Sequence, residues 1–146
     1  MTISFSVAGD PKGQPRPRAF AMRGVGGKYS ARVFDPGTAE AWKQQIAVAA
    51  MPMRPPAPFT GPVALKIAFV FRRPKSHFRS NGELKPDAPR YSTAKPDADN
   101  CAKAVMDALT QLGAFWRDDA QVVELRVWKD YGKTGGALVE ISEIPL

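Results

Sequence analysis

The segment Pro62–Phe71, PVALKIAFVF, constrains the fold more than any other stretch of the chain. Val63, Leu65, Ile67, Phe69 and Phe71 alternate along one face, and the other face, Ala64, Lys66, Ala68 and Val70, is nearly as apolar. A strand that avoids water on both sides belongs inside a sheet, so this one is expected at the centre. Two further stretches alternate with the same period of two. Residues 2–8, TISFSVA, set Ile3, Phe5 and Val7 against Thr2, Ser4 and Ser6, and residues 121–130, QVVELRVWKD, set Val123, Leu125 and Val127 on one face. ALVEISEI, residues 137–144, follows the turn-like YGKTGG, which predicts a hairpin with the strand before it.

Two helices complete the pattern. Residues 38–51, TAEAWKQQIAVAAM, put Trp42, Ile46, Ala49 and Ala50 on one side, with Asp35 or Thr38 as the candidate cap, and PMRPPAPFTGP then stops the helix. The second helix is expected from about Asp97 to Leu112, with Ala102, Val105, Met106, Leu109 and Leu112 as its packing stripe and Gly113 as its stop. Phe115 and Trp116 follow as packing anchors. The fold class expected is mixed α/β: a single domain over residues 1–146, with a mixed sheet of about four strands and two helices covering one face. A chain of 146 residues, 44% of them hydrophobic, is long enough for one such core.

Charge narrows the function. The formal net charge is +7, which favours an anionic partner such as nucleic acid. The basic residues cluster in two segments rich in Gly, Pro or polar residues. The first, GDPKGQPRPRAFAMRGVGGKYS, has too much Gly and Pro for a helix or a long strand and carries Lys12, Arg16 and Arg18. The second, residues 72–96, has seven Lys or Arg (Arg72, Arg73, Lys75, Arg79, Lys85, Arg90 and Lys95) against Glu83 and Asp87, and is expected to be mobile. Lys12, Arg16, Arg18, Arg72, Arg73, Lys75 and Arg79 are the candidate DNA contacts; the plainer alternative for both segments is a solvated loop. His77 stands alone as a polar loop residue. No run of eighteen apolar residues and no signal-peptide pattern occurs, and a single cysteine, Cys101, agrees with a reducing compartment.

Against this basic background, KPDADNCAKAVMDALTQLGAFWRDD, residues 95–119, holds five of the fourteen acidic residues. Asp97 and Asp99 stand at the head of the second helix, Asp118 and Asp119 after it. Either of the first two alone could be an N-cap, and the second two could be a plain turn. Together they are expected to meet as oxygen ligands of a divalent metal ion, whose charge would relieve their repulsion. Lys103 lies one turn beyond Asp99 and one before Asp107, with which it is expected to pair. A calcium-binding helix–loop–helix is excluded, because its sixth and twelfth positions would be Ala102 and Ala108 instead of Gly and Glu. No GxxxxGK[ST] and no GxSxG is present, which argues against the familiar nucleotide and serine hydrolases.

The pattern KPDADNCAKAVMDAL followed by GAFWRDDAQVVELRVWK resembles the RusA family of Holliday junction resolvases, and PKGQPRPR resembles the basic segment near the start of many members. The motif D-x-D-N-x-x-K with a later D-D-A-Q-V is long and chemically mixed, hence specific; about half the chain carries the likeness. The resemblance implies a homodimeric, Mg²⁺-dependent nuclease (Mn²⁺ possible) that nicks opposed strands of a four-way DNA junction, cytoplasmic and bacterial or phage-encoded. Carried over by position, the catalytic residues are Asp97, Asp99, Lys103 and Asp119, and the metal ligands Asp97, Asp99, Asp118 and Asp119, with either Asp118 or Asp119 as the main ligand of the second pair. A non-catalytic junction-binding protein, or a nuclease for another branched DNA, are the alternatives.

Overall fold

The computed structural model describes residues 1–15, 18–23, 29–34 and 39–146, the second and third of these ranges as strand backbone only. In chain order the elements are β1 (Thr2–Ala8), β2 (Arg18–Arg23), β3 (Tyr29–Phe34), α1 (Glu40–Ala50), β4 (Val63–Arg72), α2 (Ala98–Leu112), β5 (Val122–Gly132) and β6 (Gly136–Glu143). Four strands form one mixed sheet in the order β1-β6-β4-β5, and β2 pairs with β3 in a separate antiparallel ribbon. The expected small mixed α/β domain with two helices is therefore what the chain forms.

β4 is interior, antiparallel to β6 and parallel to β5. Its Val63, Leu65, Ile67 and Phe69 are all fully buried, and they pack with Ile3, Phe5 and Val7 of β1 and Val139 and Ile141 of β6 into one core. Both helices cover that face. α1 contributes Trp42, Ile46 and Ala50; α2 contributes Ala102, Val105 and Leu109, while Phe115 and Trp116 close the end. Burial of a side chain of this size stabilises the fold by about 1.5–3 kcal/mol, so this shared core carries much of the stability.

Three expectations are corrected. β5 and β6 are not a hairpin, because β4 lies between them. Gly132–Gly136 instead carries the chain over the end of β4, and the crossing is tight: a Cβ on Gly132 would stand 2.5 Å from Val70 Cγ1, and one on Gly136 2.7 Å from Val7 O. Turn residues signal a reversal without saying how many strands it spans. Second, β2 and β3 pair across six residues, Arg18↔Phe34 to Arg23↔Tyr29; RAFAMR is a glycine-free run inside a glycine-rich segment. Asp35 and Thr38, the candidate caps, lie outside the described residues. Third, Val123 and Leu125 are 63% and 44% exposed. Leu125 registers with Leu65 on the helix side of the sheet, and of this strand's apolar residues Val122 and Val127 are the ones packed against the core.

Candidate active site

Asp97 is the N-cap residue of α2, in extended backbone, so Asp97 and Asp99 both sit at the positive end of the helix dipole. The segment leading there includes a cis Lys95–Pro96 bond, and Lys95 Nζ lies 3.0 Å from Asp97 Oδ1. Gly13 packs against this start: a Cβ there would stand 3.0 Å from Pro96 Cβ and 3.2 Å from Asn100 Cβ, and the neighbouring Gln14 N–H donates to Asn100 O at 2.9 Å. The result is an open cleft of about 790 Å³ lined by Asp10, Lys12, Gly13, Phe71, Arg72, Lys95, Asp97 and Asn100. Two segments distant in sequence thus bring a carboxylate and basic side chains to the carboxyl end of β4. Cys101, just inside, is fully buried, and burial pushes its thiol up to about 11, with Asp97 and Asp99 adding to the rise and Lys129 opposing it. It is a packing residue.

Asp118 and Asp119 lie elsewhere. They form the turn before β5, where Asp118 accepts a bond from Ala120 N–H at 2.9 Å. Gln121 clasps that turn with four bonds. Its Oε1 accepts from Arg117 N–H at 3.0 Å and Asp118 N–H at 3.3 Å, and its Nε2 donates to Phe59 O at 2.8 Å and Gly61 O at 3.0 Å. The turn is thereby tied to the segment entering β4, the opposite end of that strand from Asp97. From Val63 to Phe71 a strand runs roughly 26 Å, and the helix between the two pairs is about 22 Å long. The two carboxylate pairs therefore do not meet within one chain, contrary to expectation. α2 is a straight helix laid along the sheet, and the short stretch after it returns to the sheet without returning to its start. Among the described residues no three His, Cys, Asp or Glu side chains come together as a metal-holding group.

The other candidates divide. Lys103 is exposed on the α2 face that carries Asp99. Its expected partner Asp107 is taken by Lys43 of α1 at 2.6 Å, and Lys43 is only 6% exposed, which the sequence pattern did not show. Lys12, Lys75 and Arg79 are exposed. Arg72 is exposed and ion-paired with Asp10. Arg73 is spent on structure: it donates to Pro89 O at 2.7 Å and lies over the Tyr131 ring at 5.5 Å. Arg16, and the side chain of Arg18 at the head of β2, lie outside the described residues. The loop after β4, expected to be mobile, is bonded internally (Arg79 N–H to Glu83 O, 2.7 Å) and to β5 (Ser92 N–H to Lys129 O, 2.8 Å). No described helix is long and apolar enough to cross a membrane.

A mixed sheet backed by two helices, with an Asp pair at a helix head and Asp97 opening into a cleft that also holds Lys12, Arg72 and Lys95, defines a small α/β protein suited to an anionic polymer. The comparison with known families is specific: residues 8–142 match the endodeoxyribonuclease RusA family. The chain therefore belongs to that family, and it is an enzyme that cuts DNA. It is 36% identical over 146 residues to the uncharacterized protein YqaN of Bacillus subtilis, covering 97% of this chain and 96% of that one. Over 42 residues, 29% of this chain and 34% of the relative, it is 57% identical to the crossover junction endodeoxyribonuclease RusA of Escherichia coli, and equally so to that of Enterobacteria phage 82.

Proposed function

We propose that the protein is a divalent-metal-dependent endonuclease, using Mg²⁺ or Mn²⁺, that resolves four-way DNA junctions by paired nicks and acts as a homodimer. The observation that carries the reading is the Asp97–Asp99 pair at the head of α2, with Asp97 lining a cleft that also holds Lys12, Arg72 and Lys95. Its donors are all oxygen, which fits a hard cation: Mg²⁺ is commonly held by one or two carboxylates and completes its shell with water and phosphate oxygens. Bound there, the ion would supply Lewis-acid polarisation of the scissile phosphate. The chain's own residues do the rest. Lys12 and Lys95 attract and seat the phosphate backbone, giving an affinity that falls with salt. Lys103, exposed beyond Asp99, sets a fixed positive charge where negative charge grows in the transition state. Asp118 and Asp119, the other two carboxylates of the expected set, stand at the opposite end of β4 within one chain.

The test is junction cleavage in Mg²⁺, wild type against Asp99→Asn. Symmetric nicks in the wild type, and cutting lost with binding kept in the variant, support the reading; full cleavage by Asp99→Asn removes it. One observation favours a second reading, a junction-binding protein without cleavage: the carboxylate pairs stand apart within a single chain. Such a protein would hold junctions equally well in Mg²⁺ and EDTA and nick them in neither.

A further inference from the structure

The helices cover one face of the sheet, and the opposite face carries two exposed aromatic rings side by side. In β5, Leu125 and Val127 register with the buried Leu65 and Ile67, so the alternate residues Arg126, Trp128 and Asp130 point to that opposite face. The loop after β4 adds Tyr91, which bridges antiparallel to Asp130. Ser92 N–H donates to Lys129 O at 2.8 Å, and Tyr131 N–H donates to Arg90 O at 2.9 Å. These bonds flank Tyr91 and Asp130, which makes them a non-hydrogen-bonded pair with side chains close together on one face. Trp128 is then the diagonal neighbour of Tyr91, roughly 7–8 Å away and within reach of a second ring.

Both rings are open to solvent, Tyr91 by 50% and Trp128 by 39%. Each is layered with a guanidinium: Arg90 Cζ lies 5.0 Å from the centre of the Tyr91 ring, and Arg126 Cζ 5.4 Å from that of Trp128. Ala68 and Leu138 continue the row from Trp128 across β4 and β6, and Leu138 is exposed as well. A contiguous exposed apolar patch of this kind marks a binding surface. Its charge is not a general positive field. Asp130 stands between the rings with its Oδ1 buried, and Lys66 is offset by Glu140 at 4.0 Å. The rings and their two arginines define the patch.

Chemistry and position name the occupant. Aromatic rings and guanidinium planes are the flat surfaces on which unpaired nucleobases stack, whatever their sequence. Along β4 the same face runs from Ala68 through Val70 to Arg72, about 13 Å, and Arg72 lines the cleft that holds Asp97. The patch therefore continues that cleft around the edge of the sheet. We propose that this face is a stacking platform for unpaired bases, on which Tyr91 and Trp128 hold neighbouring nucleobases of the DNA strand that runs through the Asp97 cleft. The passage of that strand through the cleft rests on the nuclease reading above; the platform itself acts in binding and needs no metal. It favours DNA whose strands are open near the branch over plain duplex, where the base faces are already stacked.

Tryptophan fluorescence of the full chain, titrated with oligothymidylate in EDTA, tests this without any cleavage. Of the three tryptophans, Trp42 and Trp116 are buried, so Trp128 is the one a base can reach. The single strand should quench the emission, and Trp128→Phe should abolish the quenching while keeping most of the affinity. Trp128→Ala and Tyr91→Ala should each weaken single-strand binding roughly tenfold and blunt-duplex binding far less. Tyr91→Phe should bind like wild type, because stacking uses the ring and not the hydroxyl. Emission indifferent to the single strand overturns the platform. So does an equal loss for single strand and duplex, or a loss in Trp128→Ala that Trp128→Phe shares. Each of those results leaves the nuclease reading standing, since no cut is scored; that reading falls separately, on full junction cleavage by Asp99→Asn.

Discussion

Gln121 is the residue whose loss the structure prices most directly. Gln121→Met keeps the length of the side chain and removes all four of its hydrogen bonds. The two backbone N–H groups it serves are exposed, and water takes its place there, so each bond is worth about 0.5 kcal/mol. The carbonyls of Phe59 and Gly61 are part-buried and lose more, about 1 kcal/mol each. The sum is about 3 kcal/mol, which in a chain of this length lowers the melting temperature by roughly 10 °C. Urea denaturation with thermal melts as a check gives the number. Gln121→Glu should be worse at neutral pH, because a carboxylate then faces two carbonyl oxygens. It should recover relative to wild type as pH falls toward about 4.3 and be fully recovered below it, where the protonated acid donates again. Because Gln121 holds the Asp118–Asp119 turn, Gln121→Met should also cut junctions slowly while binding them normally. A change below about 0.5 kcal/mol together with normal nicking would refute the clasp.

Two further predictions concern buried charge and the buried thiol. Asp107→Ala leaves Lys43 buried with Glu40, at 3.7 Å, as its only acidic partner among the described residues; it should cost about 2–3 kcal/mol, more than Lys43→Met, and the double variant should resemble Lys43→Met in a urea double-mutant cycle. Cys101 has its thiol raised from an ordinary value of 9.0 to about 11. The neutral thiol's contribution is complete below pH 9 and lost as pH rises from 9 to 11, where only the unfolded chain ionises. In metal-free buffer, wild type should therefore lose up to about 2 kcal/mol relative to Cys101→Ala between pH 8 and pH 11, measured by denaturant titration.

The legible parts of the fold were those that bury a whole face. β4 announced itself by apolar residues on both sides, and α2 and α1 by stripes at helical spacing, because such patterns have one economical solution. What stayed hidden depends on neighbours. That β5 lies parallel to β4 with β6 beyond cannot be seen in β5 itself, whose alternation reads the same for a central or an edge strand. The Lys43–Asp107 pair joins residues sixty-four positions apart, while the helical spacing pointed to the nearer Lys103. Arg73 looked like its neighbours in a basic run and turned out to be occupied by Pro89 and Tyr131.

The carboxylates show the same limit in its most consequential form. Sequence identified the four aspartates by kind and spacing, and the expectation that they meet assumed that a helix between two pairs brings the chain back. A helix of fifteen residues does the opposite: its rise of about 1.5 Å per residue carries Asp118 and Asp119 to the far end of the sheet. The parallel β4–β5 pair fixes that separation, since it sets the amino end of β5 beside the Asp118–Asp119 turn and its carboxyl end level with the β4 residues that line the Asp97 cleft.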